Sequence, residues 1–121
     1  MFSHKWHVDR LLRFRSAPAS IRLTGGAAKS EVWAQMFADV FQAPVEVPQG
    51  TELGALGAAI CGAVACGIYS SYEEACAAMV RLSRTHEPNR SAADCYRRKY
   101  QRYLRLLEAM DPVWPEMIWN T

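Results

Sequence analysis

Two adjacent glycines, Gly25 and Gly26, sit between a short β-branched segment, "IRLT", and an amphipathic run that begins at Ser30. A strand that stops at glycines and restarts as a helix brings unpaired backbone N–H groups, and the positive end of the helix dipole, within reach of a phosphate. The same construction serves equally as a plain tight corner. The local spelling "GGAAKS" is neither GxGxxG nor GxxxxGK[ST], so on this stretch alone both readings stand. Lys29, just inside the turn, either meets a phosphate or lies in solvent, and the solvated role is the ordinary one.

The other side chains with chemical potential are poorly placed for it. A kinase or hydrolase needs a carboxylate as base or metal anchor, and Asp39 and Glu52 are the acids near the glycine turn in the pattern. Asp39 lies three helical turns from Gly26, roughly 20 Å at 1.5 Å per residue, too far to share a phosphate site. No catalytic base is visible. His4 and His7 have a spacing that metals use, but no third ligand accompanies them, so the reading is ordinary surface histidines and no metal site. Cys66 and Cys76 lack a positioned base, and burial in a helix predicts inert thiols.

The elements that position these groups follow from periodicity. In residues 2–14, Val8, Leu11 and Leu12 take helical spacing with Asp9, Arg10 and Arg13 on the other face. That helix begins already in register with no capping residue, as expected of the tail of a longer chain. "IRLT" alternates as a half-buried strand would. Trp33, Met36, Phe37, Val40 and Phe41 form one apolar stripe of a helix that Pro44 ends. "VEV" predicts a second strand, closed by the Pro48 and Gly50 turn. Strand, helix and strand with tight joints imply a right-handed parallel crossover.

"ELGALGAAICGAVACG" reads as a helix of small residues. Interior glycines cost about 1 kcal/mol each against alanine, so Gly54, Gly57 and Gly62 predict close approach of another backbone or a ligand. Gly67 is its expected C-cap. "SSYEEACAAMVRLSR" opens on a capping box, Ser71 with Glu74, and "SAADCYRRKYQRYLRLLEAM" on a similar Ser91 and Asp94 pair. In the last helix Tyr96, Tyr100, Tyr103, Leu104 and Leu107 form the expected buried stripe. "DPVWPEMIWNT" is too apolar for a free tail and predicts docking on a surface.

With 121 residues, half of them apolar, the chain can form one domain with a core. Its formal charge of +2 comes from interspersed acids and bases, which argues against nucleic-acid or anionic-membrane partners. The greasy run of residues 53–68 falls short of the ~20 residues that span a bilayer. The cysteines (Cys61, Cys66, Cys76, Cys95) form no CxxC pair, which predicts reduced thiols and a cytoplasmic location.

Three segments together carry a resemblance: "IRLTGGAAKSEVWAQMFADVFQAPVEVP", then "ELGALGAAICGAVACGIYSS", then the Tyr-rich terminal helix. They resemble the C-terminal end of the FGGY carbohydrate kinases, and "FSHKWHVDRLL" is similar to that family's helix before the glycine strand. The match is specific in combined order and spacing and runs over residues 1–121. It implies an α/β fold: the C-terminal portion of an actin-like ATPase (ribonuclease H-like) domain, helix-rich with a short parallel strand pair. It implies ATP with Mg2+ as cofactor and a sugar hydroxyl as phosphoryl acceptor. In that family the double-glycine turn lies against the nucleotide, which carries over to Gly25, Gly26 and Ala27, with Ser30 at the nucleoside-touching position. The Gly/Ala helix would pack beneath this turn.

In that family the phosphate-binding loop, most sugar contacts and the aspartate base come from the N-terminal domain. They have no match in these residues, nor do Mg2+ ligands, so the chain by itself is expected not to transfer phosphate. The wording of the first helix and of "IRLTGGAAKSEVW" leans toward the L-xylulose or 3-keto-L-gulonate branch. The alternative is a non-catalytic interaction module on a partial actin-like domain. A dinucleotide-binding domain lacks its third glycine and its acidic residue. Unpaired sheet edges with Trp114 and Trp119 nearby predict self-association, as a homodimer, under either main reading.

Overall fold

The computed structural model describes residues 1–117; Trp119 lies outside them. Helix α1 (Phe2–Leu11), strand β1 (Ile21–Arg22), helix α2 (Glu31–Phe41), strand β2 (Val45–Pro48), helices α3 (Leu53–Ala65) and α4 (Tyr72–Met79), strand β3 (Leu82–His86) and helix α5 (Ala93–Met110) follow in order. Short 3-10 turns occupy Gly26–Lys29, Arg90–Ala92 and Asp111–Met117.

The expected parallel pair is present: Ile21 stands opposite Val45 and Arg22 opposite Glu46. The sheet is larger than a pair, however. β3 joins the other edge of β2, antiparallel, with Val45 opposite His86 and Val47 opposite Arg84. The sequence pattern predicts a helix over residues 70–84. Instead the helix stops at Met79, and Val80 is extended at φ −90° and ψ 125°. The physical reason is that β2 has an open row of buried peptide groups, which the segment from Arg81 onward satisfies only as a strand. Gln49 N–H, for example, donates to the Arg81 carbonyl at 2.8 Å.

The core lies between this sheet and α2. Phe37, Ala38 and Val45 form one buried cluster, flanked by Ile21, Leu23 and Phe41; Ala28, Ala34 and Val47 form a second. The observed face of α2 is rotated from the expected stripe, since Trp33 is 50% exposed while Ala34 and Ala38 are fully buried. Two alanines let the helix axis close down on β2, which a Trp33-centred face would prevent. α2 ends at Gln42, left-handed at φ 52°, whose Nε2 donates to the Asp39 carbonyl at 2.7 Å.

α1 also presents a different face from the expected one. Leu11 and Leu12 are exposed, and the contacts come from its first turns. Phe2 packs on Tyr100 and Tyr103, with ring centroids 5.7 and 5.8 Å apart, and His4 meets the edge of Phe37 at 5.6 Å. Asp9 accepts from the Tyr100 hydroxyl at 2.8 Å and from Lys5 Nζ at 2.9 Å. These polar bonds draw the Asp9 side of the helix inward. Burial, with the Asp9 carboxylate beside it, raises the Tyr100 pKa and keeps its proton in place as donor.

The capping box of α4 is present: Ser71 Oγ accepts from Glu74 N–H at 3.2 Å, while Glu74 Oε2 accepts from Ser70 N–H at 2.9 Å. The start of α5 differs from the expected Ser91 and Asp94 pair. Asn89 caps the preceding turn, its Oδ1 accepting from Ser91 N–H at 3.0 Å. Tyr100 is the buried member of the expected α5 stripe, and Arg97, Arg98, Lys99, Arg102 and Arg105 are exposed as expected.

Candidate functional site

The glycine turn is built from both sides by the sheet. Leu23 N–H donates to the Glu46 carbonyl at 2.9 Å, extending the strand pairing to the edge of the turn. Gly25 then takes φ 77° and ψ −157°, a conformation essentially restricted to glycine. The chain coils through Gly26–Lys29, with Ala28 N–H donating to the Gly25 carbonyl and Ser30 N–H to the Ala27 carbonyl, each at 3.2 Å. Ala28 is the buried residue of this turn and seats against Val47. Ser30 caps α2, its Oγ accepting from Trp33 N–H at 3.3 Å.

Gly25, Gly26, Ala27 and Ser30 thus fall on one continuous turn, and its outer side is open. A methyl group added at Gly25 or Gly26 would meet nothing within 4 Å. A cleft of about 240 Å³ borders the turn, lined by Gly25, Lys29, Gly50, Thr51, Leu53 and Arg84 among others. Lys29 and Arg84 give it a cationic wall, and the N–H groups that open a helical turn have no partner within it. Backbone donors, cations and absence of side-chain bulk suit an anionic ligand lying along main chain.

The small-residue helix is arranged otherwise than expected. α3 packs on α4, and its first residue, Leu53, reaches the cleft. It does not lie beneath the turn. Methyl groups added at Gly54, Gly57 and Gly62 meet nothing within 4 Å among the described residues, so no backbone among these makes the close approach their presence implied. Of the two thiols expected to be buried, Cys76 is half-buried on α4 while Cys66 is exposed, because it falls at the C-cap of α3; Cys61 and Cys95 are exposed as well.

Asp39 does not line the cleft beside the turn. It is 7% exposed and accepts from Gln35 Nε2 at 2.9 Å and from Asn89 N–H at 2.8 Å, a carboxylate that ties the loop before α5 to α2. His7 Nδ1 lies 2.7 Å from the Ser3 carbonyl, and among the described residues no three metal-ligating side chains cluster. The residues that the sequence reading missed come from β3. Arg84 Nη2 donates to the Ala28 carbonyl, Arg84 Nη1 lies 3.1 Å from Glu31 Oε1, and His86 Nδ1 faces Gln35 Oε1 at 3.3 Å. Their inward faces are polar, which left no apolar alternation to reveal the strand.

The helix-rich fold with its small mixed sheet is shared with solved sugar kinases. The solved xylulose kinase from Lactobacillus acidophilus superimposes with a TM-score of 0.81 at 22% identity, over 90% of this chain and 22% of that one. The xylulose kinase from Rhodospirillum rubrum superimposes with a TM-score of 0.77 at 28% identity, over 93% of this chain and 23% of that one. Residues 1–66 match the model of the FGGY family of carbohydrate kinases, C-terminal domain. The L-xylulose/3-keto-L-gulonate kinase of Escherichia coli K12 is 39% identical over 110 residues, 91% of this chain and 22% of the relative. The chain belongs to the FGGY family. It spans about a fifth of the length of those relatives, and beyond residue 66 the likeness is carried by individual relatives.

Proposed function

We propose that residues 1–121 form the C-terminal part of an FGGY kinase C-terminal domain and act as the nucleotide-binding half of an ATP-dependent carbohydrate kinase. The observation that supports this most is the glycine turn: Gly25 in a glycine-only conformation with open space in front of it. Nothing in the packing of the described residues requires a missing side chain at Gly26, so a ligand is the natural occupant of that space. The family implies ATP, which supplies the phosphoryl group when bound. Gly25, Gly26 and Ala27 would hold it through backbone, and Ser30 through its hydroxyl, which already accepts from Trp33 N–H and retains its own proton to donate.

No side chains here are assigned to Mg2+, to the sugar or to a base. Those roles fall to the remainder of a complete kinase, and the 121 residues alone do not transfer phosphate. The acceptor proposed is L-xylulose or 3-keto-L-gulonate, on the strength of the 39% identical relative named for them. The setting proposed is cytoplasmic, with homodimer contacts at the exposed sheet edges and without nucleic-acid or membrane partners; no helix among the described residues is long and apolar enough to cross a membrane. The uncovered side of α3 favours a second reading, the interaction module.

Amide NMR of this chain titrated with Mg-ADP to about 10 mM separates the two, because binding as weak as about −3 kcal/mol still registers. Shifts confined to residues 25–30 and the start of α3 are expected, weakened by Gly26→Val, with no sugar phosphorylation by the same sample. Shifts scattered elsewhere, or none, overturn the nucleotide reading in favour of the interaction module.

A further inference from the structure

The glycine turn has few restraints of its own. Gly25 and Gly26 carry no side chains, and Ala28 is the residue of the turn that is buried. What crosses to it from elsewhere in the chain is Arg84. Its Nη2 donates to the Ala28 carbonyl, 56 residues away, while Nη1 holds Glu31 Oε1 at 3.1 Å in the first turn of α2. Arg84 stands opposite Val47 in the β2–β3 ladder, and Val47 is the residue on which Ala28 seats. One rung of the sheet therefore fixes the turn twice, by packing beneath and by a guanidinium across its carbonyl. His86, two residues further on the same face, has its Nε2 3.5 Å from Glu31 Oε2 without a hydrogen bond between them, so the hold on that carboxylate comes from Arg84.

We propose that Arg84 is a positioning residue for nucleotide binding, holding the Gly25–Lys29 backbone in its binding geometry before the ligand arrives. This rests on the nucleotide reading above. A turn ordered in advance spares the ligand the conformational entropy of ordering it. The planar guanidinium fork meets a carbonyl and a carboxylate at once; a lysine ammonium, a point charge on a flexible stem, does not.

The test uses amide NMR of the 121-residue chain at a fixed Mg-ADP concentration well below saturation, where shift amplitude falls in direct proportion to affinity. In Arg84→Met the shifts at Gly26 and Ala27 are expected to fall about tenfold, the lower range for losing a hydrogen bond to a charged group. Hydrogen exchange at Ala28 and Ser30 is expected to quicken. Arg84→Lys, which keeps the charge and carries the comparison if Arg84→Met fails to fold, is expected to lose most of the shift as well. Tyr103→Ala, a destabilising change in α5 remote from the turn, controls for stability alone and is expected to keep the wild-type shifts. Unchanged shifts in both Arg84 variants, or an equal loss in Tyr103→Ala, overturn the positioning role and leave the nucleotide reading standing. A wild-type chain with no shifts at the turn overturns the nucleotide reading, and this role with it.

Discussion

The stretch from the glycine turn through β2 and the α3–α4 pair solve opposite problems. The first holds seven of the ten buried apolar residues among those described, from Ala28 to Val47; α3 and α4 hold two, Ile60 and Ala75. Yet α3, "LGALGAAICGAVA", has the more uniformly apolar sequence. The difference lies in side-chain size and in what lies opposite. Phe37 and Val45 each bring a large surface into contact with a sheet, whereas alanine and glycine remove little area from water even when covered. Apolar composition marks a surface that tolerates burial; it does not by itself supply the burial.

The largest test of that contrast is truncation in each region. Phe37→Ala empties the main cluster and is expected to cost about 3–5 kcal/mol, most of the stability of a domain this small. Ile60→Ala, on a helix covered from one side, is expected to cost about 2 kcal/mol, the lower end for an isoleucine truncation. Urea denaturation followed by circular dichroism gives both. Equal losses would mean that α3 is as well packed as the sheet region and the contrast is false.

Glycine substitutions sharpen the comparison with opposite signs. Gly25→Ala forces a side chain into φ 77° and is expected to destabilise by about 1–3 kcal/mol. Gly57 sits inside a helix with open space before it, so Gly57→Ala is expected to stabilise the chain by about 0.5–1 kcal/mol. Thermal melts of the two variants read both signs. A destabilising Gly57→Ala would show instead that something covers this side of α3 in solution, as a second copy of the chain would.

How far the sequence reveals this fold depends on which force shaped each part. The strand, glycine turn, capped helix and second strand are legible because β-branched alternation, Gly25, Ser30 and Pro44 act locally. The turn residues Gly25, Gly26, Ala27 and Ser30 could be placed together for the same reason. β3 is not legible, since its inward residues are Arg84 and His86, whose partners lie on α2 and the turn more than fifty residues away. The α2 face is misjudged because packing rewards the small Ala34 and Ala38 over the bulky Trp33. On α1, Asp9 faces inward to reach the Tyr100 hydroxyl, a long-range bond that hydrophobic spacing cannot anticipate.

The smallest expected effects are electrostatic and again divide the two regions. In the sheet, the Arg22 guanidinium, 3.1 Å from Glu46 Oε2, and secondarily the Ser20 hydroxyl hold the Glu46 carboxyl below its ordinary 4.5. On α4, the Ser70 hydroxyl and then the Ser70 N–H lower Glu74 from the same value. Both folded pKa values are depressed, so each carboxylate contributes stability that is fully present above the unfolded pKa. That contribution is lost as the pH falls through the folded value. The melting-temperature deficits of Glu46→Gln and Glu74→Gln are therefore expected at neutral pH and to vanish in acid. Salt separates them. The first-ranking partner of Glu46 is a charge, which added salt screens at this exposed site, whereas the partners of Glu74 are neutral donors. Raising ionic strength at pH 7 is expected to shrink the Glu46→Gln deficit and leave that of Glu74→Gln in place; equal shrinkage would show that long-range charge, and not the local hydroxyl and amide, sustains the α4 cap.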